Sequence, residues 1–131
     1  SYAVLIISNV YANPKCEELW NQQVTLDKTV ESHHKEFLNN IMEQSVDAKF
    51  IDYKNAQNNH SEQLKPLHEE IKKEGCEKYF NEKVLPKLLD LRKENEELLK
   101  KRPLSDRFKK TLTESLSRIN AQISFINQEI K

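Results

Sequence analysis

Apolar residues recur every three or four positions along most of this chain, the interval at which one face of an α-helix returns. From Pro14 to Met42, Cys16, Leu19, Leu26, Val30, Phe37 and Ile41 trace one such face, with Trp20, Val24 and Leu38 beside it. Asn13 and Pro14 suit the cap and first helical positions, and Glu17 and Glu18 favour a first turn. A second stripe runs Val46, Phe50, Tyr53, Gln57, His60, Leu64, Leu67, Ile71, alternating steps of four and three without a slip. Projected backwards it meets Glu43, Asn39, Glu36 and Ser32, all polar, so the two stripes are out of phase. The chain must therefore turn near 43–48, although neither Gly nor Pro marks the place. A competing break is Asn58-Asn59-His60-Ser61, with Ser61 capping a new helix and Pro66 near its start.

The next boundary is plainer. Lys72 and Lys73 suit a last turn, and Gly75 follows where a helix C-terminus calls for glycine. A third helix is expected from about Cys76 to Lys101, with Phe80, Val84, Leu88, Leu91 and Leu98 on its seam. Pro86 predicts a kink or a late start, and Pro103 closes the helix. Leu104-Ser105-Asp106 then opens a fourth, whose seam is Phe108, Leu112, Leu116, Ile119, Ile123, Ile126 and Ile130. Segments of about 25–30 residues joined by short connections predict an all-α, elongated antiparallel bundle of four helices. Each would be roughly 40 Å long at 1.5 Å per residue. Three long helices, with the first pair kinked or merged, are the runner-up. The bundle would be one domain over 14–131, preceded by an apolar segment over 1–13.

Composition narrows the function more than the fold. The chain holds one glycine in 131 residues, where average usage of about 7 % would give about nine. That excludes a phosphate-cradling loop or a Gly-rich dinucleotide site and leaves no sign of a cofactor. Basic and acidic residues number 21 each, so the net charge of zero argues against a nucleic-acid binder. No apolar run approaches the roughly 18 residues of a membrane span. A mean hydropathy of −0.82 predicts a lean core with long polar faces. Lysine outnumbers arginine 17 to 4 and asparagine occurs 12 times, a bias shared by AT-rich genomes, many bacterial pathogens and parasites among them.

Two features point to export. Ala3-Val4-Leu5-Ile6-Ile7, followed by Val10-Tyr11-Ala12, resembles the tail of a signal peptide cleaved after Ala12; the alternative is a buried short element of the fold. Cys16 and Cys76 form an even pair that would join in an oxidising compartment. Secretion or a periplasmic location is thus expected, and a cytoplasmic one if both are free thiols.

Candidate chemistry is sparse. Glu31-x-x-His34 has the spacing of di-iron bundles, but such sites repeat the motif, and Gln57 and Lys65 stand where the second Glu would precede His60 and His68. Glu31 and His34 are therefore weak metal candidates, and solvated or seam-edge side chains are the simpler reading. Nothing distinguishes a catalytic carboxylate or a Cys–His pair, so no enzyme is expected. Lys100, Lys101, Arg102, Arg107, Lys109 and Lys110 fall within eleven positions with only Asp106 opposing them. This basic corner could meet an acidic surface or anionic lipid; the plainer reading is complementation of a helix C-terminal dipole, which covers 100–102 alone. Asn59-His60-Ser61 matches a glycosylation pattern that one expects by accident in an Asn-rich chain.

Trp20, Tyr53, Tyr79 and Phe80 could line a pocket for a small hydrophobic ligand or lipid, although aromatics at helical spacing are more often core. The Ile119, Ile123, Ile126, Ile130 stripe would be a groove or partner-helix surface wherever other helices leave it uncovered. The expected role is a non-enzymatic, exported module that binds another protein or itself, such as a secreted factor of a pathogen or parasite. The alternative is a lipid or small-ligand carrier.

Overall fold

A computed structural model describes residues 14–44 and 46–130. The apolar 1–13 segment, with its Asn13 cap and the cleavage point after Ala12, lies outside the described residues. Helix α1 spans Pro14–Asn39 and α2 spans Val46–Lys73. Helix α3 is composite: Glu77–Tyr79, a π-helical turn Phe80–Val84, then Leu85–Lys100. Helix α4 spans Asp106–Gln128. Among the described residues there is no strand, and the four-helix bundle expected from the periodicity is the architecture found.

The boundaries follow from local chemistry. Helix α1 ends earlier than the stripe suggested because Asn40 terminates it. Its backbone N–H is shared between the carbonyls of Glu36 and Phe37, and its side-chain amide donates to Glu36 at 2.7 Å. The competing break at 58–61 does not occur, and Pro66 lies inside α2. The polar members of the α2 stripe, Gln57 and His60, do not interrupt the helix, because each meets a partner inside the bundle. Gly75 has φ +68°, the left-handed conformation that ends a helix. Pro86 stands in the first turn of the α-helical part of α3, directly after the π turn. A proline ring collides with the carbonyl four residues back, here Glu82, and the wider π turn there relieves the clash. The Ser105 hydroxyl caps α4 by accepting from the Phe108 N–H at 3.1 Å.

Helix α1 packs along α2, α3 packs along α4, and α1 meets α4 over a shorter stretch. The molecule is thus two helical hairpins laid together. Both hairpin turns lie at one end, called here the turn end. At the opposite end all four helices feed a continuous apolar core that includes Leu19, Ile71, Phe80, Val84, Ile123 and Ile126. Burying each large apolar side chain contributes about 1.5–3 kcal/mol. Cys16 and Cys76 are disulfide-bonded within this core, as their pairing predicts, with Cα atoms 5.6 Å apart.

Unfolding of the oxidised chain should show no free thiol, and two after reduction. Because the bond closes a loop across a sequence separation of 60 residues, reduction should lower the unfolding free energy by about 4 kcal/mol in urea titrations.

Candidate functional site

Towards the turn end the apolar core gives way to polar layers. In the first, Asp27 of α1 joins α2 and α4: its Oδ1 lies 2.6 Å from His60 Nε2, and its Oδ2 accepts from Gln122 Nε2. Nearby, His68 stacks on Phe125 with ring centroids 3.7 Å apart. His68 Nε2 and Gln23 Oε1 are buried without a hydrogen-bond partner among the described residues. Burial holds the His68 imidazole below its ordinary pKa, against the opposing pull of Glu129.

The second layer centres on Glu114 of α4. Its Oε2 accepts from Tyr53 Oη at 2.7 Å and lies 2.6 Å from His34 Nδ1, while its Oε1 lies 2.6 Å from an Arg118 guanidinium nitrogen. Gln57 Nε2 donates to Tyr53 Oη at 2.9 Å, so that phenol donates and accepts at once. Arg118 also reaches to 3.8 Å from Glu31. Burial depresses the His34 pKa more than Glu114 raises it, so the ring is neutral and carries its proton on Nδ1, facing a carboxylate that only accepts. Tyr53 is pushed up by burial and by its bond to Glu114. One carboxylate thus holds side chains from α1 and α2 together with its own helix. The Tyr53 ring continues the layer outward, stacking with Phe37, which in turn meets Phe50.

Beyond Glu114 a groove of about 690 Å³ opens between α1 and α4. Phe37 and Leu38 of α1, with Ile41 in the turn just after it, form its α1 wall; Asp106, Lys109, Lys110, Thr113 and Ser117 form its α4 wall; His34 and Glu114 also line it.

The residues singled out from sequence scatter across this frame. The basic corner divides. Arg102 donates to the carbonyls of Leu99 and Lys101 at 2.8 Å, closing the end of α3, and Arg107 donates to Asn39 Oδ1 at 3.2 Å, tying α4 to the end of α1. Lys100, Lys101, Lys109 and Lys110 are exposed and form no ion pair among the described residues. The isoleucine stripe requires correction. Ile119, Ile123, Ile126 and Ile130 are 2–7 % exposed, covered by the other three helices, so no part of the stripe is left for a partner.

Glu31 and His34 do share a layer, but through Arg118 and Glu114. Among the described residues no group of three or more His, Cys, Asp or Glu is arranged to hold a metal ion. Trp20, Tyr79 and Phe80 come together edge-on at the disulfide end, while Tyr53 belongs to the Glu114 layer, so the four do not line one pocket. Asn59 is exposed on α2. No described helix is long and apolar enough to cross a membrane.

Sequence reasoning missed Glu114, Arg118 and Asp27, and it took Tyr53 for a pocket aromatic where its phenol in fact bonds Glu114. The one available signal was the presence of Gln57 and His60 on an otherwise apolar stripe. Fold and site together define a disulfide-linked four-helix bundle with a layered polar interior and an open groove at one end. No family model, curated protein or solved structure matches this chain.

Glu114→Ala strands Tyr53, His34 and Arg118 together and should cost about 3 kcal/mol in urea unfolding, against about 1.5 kcal/mol for Tyr53→Phe. The double variant should cost less than the sum, because both remove the same bond. The two histidines predict a pH dependence. Held below the ordinary value of 6.5, they stay neutral in the folded chain, while the unfolded chain takes up protons there. Their contribution to stability is therefore complete above pH 6.5 and falls as pH drops through the window beneath it. His68→Phe should flatten the difference between urea midpoints at about pH 5 and about pH 7.

Proposed function

We propose that this chain is an exported helical module that binds another protein at its turn end, without catalysis. The carrying observation is the distribution of exposed apolar side chains. Ile41, Met42, Phe50, Ile51 and Phe108 are 41, 94, 42, 57 and 42 % exposed and lie in or within about two helical turns of that end, while the other two exposed large apolar side chains among the described residues, Leu89 and Leu91, stand in the middle of α3. The opposite end hides its apolar residues in the core. Clustered exposed apolar surface beside polar groups is characteristic of interaction sites.

The polar layers support the same reading. Asp27, Glu114, His34 and His60 are engaged with one another or with neighbouring side chains, so these buried polar groups serve the bundle's own cohesion. Their presence in the middle of the bundle also makes it a poor container for a purely apolar ligand. The Cys16–Cys76 bond is compatible with an oxidising compartment, which favours secretion or a periplasmic location.

A photo-crosslinking residue at Met42, compared with one at the exposed Glu62 in mid-helix, should test this in medium from the producing cells. Capture of one identifiable polypeptide at 42 but not at 62 is expected. Native mass spectrometry showing stoichiometric bound lipid on a monomer, with no polypeptide captured at 42, would establish the carrier reading instead.

A further inference from the structure

The groove between α1 and α4 has two chemically different walls. Phe37, Leu38 and Ile41 present carbon; Lys109 and Lys110 present ammonium groups that form no ion pair among the described residues. We propose that this groove receives an acidic amphipathic helix of a partner protein, its apolar stripe on the α1 wall and its carboxylates against Lys109 and Lys110. The assignment rests on the interaction reading above and adds the site and the partner's chemistry.

Charge decides the sign of the partner. Of the two acids on the groove, Glu114 is already engaged by Arg118, Tyr53 and His34. Asp106 sits in the first turn of α4, where the helix N-terminus offsets its charge. Lys109 and Lys110 are left as the uncompensated groups, and Lys100 and Lys101 add to the positive potential at the same end of the bundle. A cationic or neutral occupant would leave that charge unanswered; an acidic one answers it and is steered inward by it.

Shape decides between a helix, a strand and a bilayer. Both walls are helices and no described sheet edge exists to extend, so helix-in-groove packing is the available mode. Leu38, at 4 % exposure, is recessed in the groove, where a flat lipid surface does not reach but a side-chain knob does. Arg107, bonded to Asn39, ties the start of α4 to the end of α1 and so holds the spacing of the two helices before any partner arrives.

Two synthetic helical peptides test the proposal on the intact, oxidised chain. Both carry the same leucine stripe at i, i+3, i+4 and i+7; one is flanked by glutamates and the other by lysines. The acidic peptide should bind saturably in calorimetric titration, about tenfold or more tighter than its basic twin, with the difference shrinking as salt is raised. Amide shifts should centre on Phe37, Leu38, Ile41, Lys109, Lys110 and Thr113. Lys109→Glu with Lys110→Glu should reverse the preference between the twins, and Ile41→Asp should weaken both. All these positions except Leu38 are exposed or half-buried, so the variants should stay folded, which circular dichroism would check.

Equal binding of the twins, binding of neither, or shifts mapping outside the groove would overturn the proposal. So would preferential occupation of the groove by dodecanoate, or by vesicles of equal parts phosphatidylserine and phosphatidylcholine. A polypeptide crosslinked at Met42 in a chain that fails the peptide test would leave the interaction reading standing and remove only this groove as its site.

Discussion

The bond between Cys16 and Cys76 fixes the relation on which the rest of the bundle depends. It joins the first turn of α1 to the start of α3, so each helical hairpin is held against the other at a single end. Around it Leu19, Ile71 and Phe80 are almost completely buried, which places the densest apolar contact beside the covalent link. A lean chain needs this arrangement. With a mean hydropathy of −0.82 it lacks the apolar surface to fill four long helices from end to end, and it concentrates what it has at the disulfide.

Away from that end, cohesion comes from polar layers. Buried ionic groups are costly to desolvate, and a well-packed apolar replacement is often as stable. What they supply in exchange is definition. Glu114 accepts from Tyr53 and faces His34 and Arg118, so α1, α2 and α4 satisfy one carboxylate only in one rotation and one register. Asp27 does the same for α2 and α4 one layer nearer the disulfide. Helices with simple apolar stripes could slide or rotate past one another; these layers oppose both motions.

The turn end is finished differently from the disulfide end. Its arginines are committed to the fold, Arg102 to the last carbonyls of α3 and Arg107 to Asn39, while Lys100, Lys101, Lys109 and Lys110 form no ion pair among the described residues. That division follows from chemistry. The planar guanidinium reaches two acceptors at once, whereas the ammonium group is a flexible point charge suited to the surface. Together with the apolar α1 wall of the groove, these lysines are side chains at this end that the fold itself does not engage.

Much of the architecture was legible in the sequence, because helical periodicity is a local property. The four seams, apart from their exposed members Ile41, Phe50, Leu91 and Phe108, the ending at Gly75, the opening of α4 at Leu104-Ser105-Asp106 and the pairing of the two cysteines could be read from residues a few positions apart or from simple counting. The termination of α1 was less legible, since Asn40 acts there through a side-chain bond and not through a missing donor or a special φ. The site was largely illegible. Tyr53 and Glu114 are 61 residues apart, and Asp27 and Gln122 are 95 apart, so neither pair leaves a mark in the spacing of its own helix. The isoleucine stripe carried the opposite lesson: a strong apolar face announces burial but does not say what buries it. The sequence by itself determined which stretches are helical and which face of each turns inward, for those choices depend on neighbours along the chain. Only the tertiary structure decided which polar side chains meet and where a groove is left open, for those depend on how helices distant in sequence are set against one another.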